Sequence, residues 1–96
     1  EAKEQKTELA RGTGTILVVQ GQEGVMNTTR AILERLGYCV LGANSGMEAI
    51  NIAKTFDGDI DLAILDIQLP DMRGKSAYTF IKDARPNLKV IVCSML

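Results

Sequence analysis

Four short runs of β-branched and aliphatic residues divide this chain, and between them the apolar residues switch to helical spacing. Thr15-Ile16-Leu17-Val18-Val19 is apolar almost throughout, as a strand buried on both faces must be, and Gln20-Gly21 ends it. Val25, Thr29, Ile32, Leu33 and Leu36 then recur three or four apart, predicting an inward helix face, with Gly37 as the stop. Tyr38-Cys39-Val40-Leu41 reads as a second strand. Ser45-Gly46-Met47-Glu48 has the form of a capping box and opens a helix with Met47, Ile50, Ala53 and Phe56 inward. Asp61-Leu62-Ala63-Ile64-Leu65-Asp66 is a third strand whose last residue is charged, and Leu69-Pro70-Asp71 is a loop. Ala77, Phe80, Ile81 and Ala84 give a third helix before Pro86, and Lys89-Val90-Ile91-Val92-Cys93 is a fourth strand. Strands joined by helical crossovers are parallel, with helices on both faces of the sheet.

A chain of 96 residues makes one thin domain, and an apolar share of 46% suits a packed core. Residues 1–14 are charged, without an apolar stripe, and end in glycines; they read as a linker or the end of an upstream helix. The net charge of −1 has both signs interspersed, which argues against nucleic acid or an anionic membrane as partner. No apolar run approaches the roughly 20 residues of a membrane span, so the cytoplasm is the expected compartment. Histidine is absent, so any histidine chemistry must come from a partner. Cys39 and Cys93, both in apolar runs, are expected to be reduced core thiols.

In an open parallel sheet, ligands bind beyond the carboxyl ends of the strands. Gln20 and Gly21 after the first strand, Asp66 closing the third and Ser94 after the fourth are expected to converge there. A carboxylate ending an apolar strand is costly unless it meets solvent, a metal or a donor. Asp66 is therefore either a site residue or a cap for the following loop.

Ile16-Leu17-Val18-Val19, the capping box at Ser45, the stretch Leu65-Asp66-Ile67-Gln68-Leu69-Pro70-Asp71-Met72-Arg73-Gly74, and Val90-Ile91-Val92-Cys93-Ser94 resemble the receiver domains of response regulators. The resemblance runs from Thr15 to Leu96. It implies a flavodoxin-like, three-layer α/β/α fold on a parallel sheet of order 2-1-3-4, with a fifth strand missing. It implies a module of two-component phosphorelay signalling, not an enzyme, whose partner is a histidine kinase or phosphotransfer protein. Asp66 matches the aspartate that accepts a phosphoryl group from phosphohistidine. Gln68 matches the position whose backbone carbonyl helps hold Mg2+, and Ser94 the hydroxyl that contacts the phosphoryl group and shifts on switching.

Two departures stand against these matches. The family carries an acidic pair after the first strand, where this chain has Gln20 and Gly21. It also carries a lysine after a fifth strand. Lys89 lies at the wrong end of the sheet to replace it, Lys75 at best approaches from one side, and Glu23 falls in a helical turn. One carboxylate in place of three predicts weak or absent Mg2+ binding and slow phosphorylation at Asp66. Two readings stay open: a phosphorylatable receiver with impaired Mg2+ binding, or a pseudo-receiver acting by protein contact alone. The fourth strand is apolar after Lys89, so a further segment or a partner is expected to complete the sheet, with a homodimer through that edge as one form. A larger parent such as a hybrid kinase fits the family.

Other motifs are weaker. Gly74-Lys75-Ser76 lacks the earlier glycine of a P-loop, and Pro70 and Asp71 stand where phosphate would lie. Gly21 and Gly24 do not complete a dinucleotide fingerprint, which leaves a flavodoxin-like nucleotide binder as a remote alternative. Asp57, Asp59 and Asp61 lack the rest of a calcium loop.

Overall fold

The computed structural model describes residues 12–94. Most of the expected leading linker, residues 1–11, and the last two residues lie outside this range. Among the described residues seven elements alternate: β1 (Thr15–Val19), α1 (Glu23–Arg35), β2 (Cys39–Ala43), α2 (Gly46–Thr55), β3 (Leu62–Asp66), α3 (Gly74–Ala84) and β4 (Lys89–Cys93). The strands form one sheet of order β2-β1-β3-β4, and every neighbouring pair is parallel. This is the predicted topology.

The period of two along the central strands sorts side chains between two helical layers. Ile16 and Val18 of β1 pack with Met26 of α1 on one face. Leu17 and Val19, with Ala63 and Leu65 of β3, pack on the other against Ala49, Ile50 and Ala53 of α2 and Ala77 and Ile81 of α3. β1 and β3 are apolar on both sides because both sides are covered. No described helix is long and apolar enough to cross a membrane.

Local chemistry sets the element ends. α1 stops in a Schellman motif: the Gly37 amide donates to Glu34 O, the Tyr38 amide donates to Leu33 O, and Gly37 takes a φ of 104°. β2 runs two residues past the predicted Leu41. Gly42 continues the pairing with Val18 and lies under α1, where a Cβ would come within 3.3 Å of Met26 Sδ. At α2 the Ser45 hydroxyl accepts from the Glu48 amide at 3.1 Å, as a capping box requires. The Glu48 carboxylate reaches one residue further back than in the standard box and accepts from the Asn44 amide at 2.6 Å. The Arg85 guanidinium closes the other end, donating to the carbonyls of Ala53, Phe56 and Gly58.

Several inward assignments are corrected. Ile32, Met47 and Phe80 are each more than half exposed. Met26 is the buried residue of α1, and α3 turns Ala77 and Ile81 inward with Phe80 on its flank. Small residues at the contact let α2 and α3 approach each other, and this leaves the larger neighbours outside. Cys39 is exposed rather than a core thiol, because it is the first residue of an edge strand; Cys93 is partly buried.

Candidate functional site

Asp66 is the last residue of β3 and only 5% exposed. Its neighbour across the sheet is Gln20, 6% exposed, one step beyond the paired residues Val19 and Leu65. The two side chains share a cavity of about 160 Å³ with Val18, Val19, Val25, Thr29, Ile64 and Cys93. Cys93 enters because it is the register partner of Asp66 on β4. Apart from Asp66, Gln20, Thr29 and the Cys93 thiol, the lining residues are aliphatic.

The loop after β3 folds back on this carboxylate. The Gln68 amide donates to Asp66 Oδ1 at 3.1 Å, a two-residue turn of the kind aspartate favours. Asp66 Oδ2 has no hydrogen-bond partner among the described residues. The Gln68 carbonyl lies 3.8 Å from the point a Cβ on Gly21 would occupy, so the two loops meet where the family resemblance implies a metal pocket. Gly74 permits the turn: a Cβ there would lie 2.5 Å from Ile67 Cα and 3.0 Å from Asp66 O. Its amide donates to Ile67 O at 2.9 Å.

Gln20 accepts hydrogen bonds from its own loop and from the loop after β2. Its side-chain oxygen accepts from the Gln22 amide at 3.0 Å, and its carbonyl accepts from the Asn44 side-chain amide at 3.4 Å. Gly21 is exposed and approached by Pro70, whose Cδ would lie 3.0 Å from an added Cβ. Ser94 is exposed, one residue beyond Cys93 at the same end of the sheet; Cys93, not Ser94, lines the Asp66 cavity. Lys89 pairs with Leu62 at the far end of β3. Lys75 lines a separate groove of about 570 Å³ with Ile67, Arg73, Tyr78 and Val92, on the other side of the sheet from Asp66.

These donors fit a hard divalent cation poorly. One carboxylate and one backbone carbonyl converge, whereas Mg2+ relies on carboxylates or substrate phosphate to replace its water. No group of three or more acidic, cysteine or histidine side chains able to hold a metal occurs among the described residues.

Asp71 is not among the residues that the sequence marks for the site. Its two carboxylate oxygens accept from the amides of Gly46 at 2.8 Å and Met47 at 2.9 Å, in the first turn of α2. The Met47 and then the Gly46 hydrogen bond hold its carboxyl below the usual value of 3.8. The signal available in the sequence was a carboxylate in a loop at the same end of the sheet as a helix start.

The response regulator receiver domain model matches residues 16–96. The sensor kinase CckA of Brucella abortus is 35% identical over 97% of this chain, which spans 10% of that protein. The polar-differentiation response regulator DivK of Brucella ovis is 32% identical over 74% of this chain and 56% of its own length. The chain thus spans a tenth to little more than half of these relatives. Among solved structures, the response regulator TrrA of Thermotoga maritima, in complex with Mg2+ and BeF, superposes with a TM-score of 0.74 at 31% identity, covering 84% of this chain and 69% of that one. With the sheet order, the buried aspartate closing β3 and the loop folded over it, these matches establish that the chain belongs to the response regulator receiver domain family, the signalling modules of two-component systems.

Proposed function

We propose that this receiver takes a phosphoryl group onto Asp66 from a phosphohistidine of a histidine kinase or phosphotransfer protein, with little assistance from Mg2+. The observation that carries the reading is the state of the Asp66 carboxylate. It is buried at the end of β3, one oxygen is fixed by the Gln68 amide, and the other has no partner among the described residues. That second oxygen forms the bond to phosphorus as the bond from phosphorus to the partner's imidazole nitrogen breaks, and the nitrogen keeps the electron pair. Such transfers depend on positioning and charge neutralisation. Here positioning is provided and neutralisation is scarce, since Gln20 and Gly21 supply no anionic ligand for a cation. The TrrA complex carries Mg2+ and BeF, so relatives of this fold do take the ion. The match to the sensor kinase CckA, and to the receiver domain of a hybrid histidine kinase of that name, supports a hybrid kinase as the parent.

The poor metal donor set favours a second reading, a pseudo-receiver that works by protein contact alone. One contact open to it is the outer edge of β4, where Ile91 is 50% and Val92 47% exposed and two copies of the chain would pair. Incubation with a small phosphodonor, with and without Mg2+, followed by intact mass, separates the readings. The expected result is a slowly formed adduct of one phosphoryl group that Asp66→Asn abolishes. No adduct from either the phosphodonor or a phosphorylated kinase would leave only contact.

A further inference from the structure

The loop between Asp66 and α3 is fastened at three points. Pro70 lies against Gly21 after β1. Met72 lies across the first turn of α2: a Cβ on Gly46 would be 2.5 Å from Met72 Cγ and Sδ and would push that side chain aside. Between them the Asp71 carboxylate takes the Gly46 and Met47 amides. A helix begins with amides that have no partner inside it. In α2 Asp71 takes the amides of the first two residues, Ser45 Oγ takes that of Glu48, and the helical ladder begins with the Ala49 amide donating to Ser45 O. Ser45 is local to the helix. Asp71 lies 24 to 25 residues away in sequence, on the loop that carries Gln68.

We propose that Asp71 is a positioning residue of the Asp66 site, an inference that rests on Asp66 being the phosphoacceptor. By tying the loop to α2, Asp71 fixes the Gln68 amide on Asp66 Oδ1 and the Gln68 carbonyl beside Gly21. In a receiver without its acidic pair, no strong metal site organises this loop, and the helix start does so instead. The carboxylate suits the task, because a negative charge at a helix N-terminus is favoured and two oxygens serve two amides.

A plain helix cap would stabilise α2 and leave the loop unaffected, so the control is Ser45→Ala, which removes a cap from the same helix without touching the loop. Amide hydrogen exchange at Gln68 and Gly74 is compared in wild type, Asp71→Ala, Asp71→Asn and Ser45→Ala. Asp71→Ala is expected to speed exchange at both amides about tenfold, with Ser45→Ala near wild type and Asp71→Asn between them. The rate of adduct formation at Asp66 is expected to follow the same order. Equal Gln68 exchange in Asp71→Ala and Ser45→Ala would overturn the proposal. If Asp71→Ala does not fold, Asp71→Asn against Ser45→Ala decides by the same comparison. Absence of an adduct in wild type would remove the phosphoacceptor reading, and with it the functional part of the proposal, while Gln68 exchange would still show whether Asp71 holds the loop.

Discussion

Gln20 and Asp66 lie side by side at the carboxyl ends of β1 and β3, both buried, and together they close one end of a single cavity. A neutral amide beside a lone carboxylate removes the repulsion that two adjacent carboxylates would carry. It also removes the attraction that would hold a cation. On the proposed reading the pocket holds a cation weakly, and substitution of the two neighbouring positions tests that trade.

Gln20→Asp combined with Gly21→Asp is expected to raise Mg2+ affinity strongly. An opposite charge about 4 Å away is worth on the order of a few kcal/mol near a protein surface, so a gain of about a hundredfold is expected. Without metal the same variant is expected to melt below wild type, because three carboxylates then share one site, and Mg2+ is expected to restore it. Calorimetric titration and melting with and without Mg2+ check this. No gain in affinity would show that charge is not what the site lacks.

Gly21→Asp alone is expected to fall short of that gain because Pro70 stands 3.0 Å from the new Cβ. Adding Pro70→Ala to Gly21→Asp is expected to improve Mg2+ binding further. Equal affinities with and without Pro70→Ala would show that the loop yields freely.

Gly74→Ala is expected to destabilise the domain by about 2 kcal/mol, since the added methyl meets backbone atoms of Asp66 and Ile67 that have nowhere to go. Urea denaturation reads it. A Gly24→Ala control, whose Cβ would meet nothing within 4 Å, is expected to be neutral or slightly stabilising.

Asp71 gives a pH dependence of known sign. Its carboxyl titrates below 3.8 in the folded chain because the Met47 and Gly46 amides favour the charged form. The stability it contributes is thus complete above pH 3.8 and is lost as pH falls through the lower folded value. Wild type is expected to melt above Asp71→Ala at neutral pH, and the gap is expected to narrow below pH 3.8. A gap that stays constant to the acid limit would mean that the charge contributes nothing.

Ile91→Lys is expected to abolish any self-association through β4, since it places a charge on the exposed edge strand. Sedimentation at several concentrations checks it. A wild-type chain that stays monomeric throughout would remove the homodimer.

The sequence by itself determined the seven elements, the parallel sheet and the position of Asp66, because these follow from short-range patterns. A continuous apolar run must be covered on both faces, and the change from run to helical spacing marks each crossover. The resemblance carried together by residues 16–19, the capping box at Ser45, residues 65–74 and residues 90–94 supplied the strand order. Tertiary structure decided what depends on separate segments meeting. Helical spacing shows that α1, α2 and α3 have inward faces but fixes their rotation only loosely, so Ile32, Met47 and Phe80 turned out exposed. Cys39 looks like a core thiol until β2 is known to be an edge. The bonds from Asp71 to Gly46 and Met47 join residues 24 to 25 positions apart, and no local pattern records a distance that only packing sets.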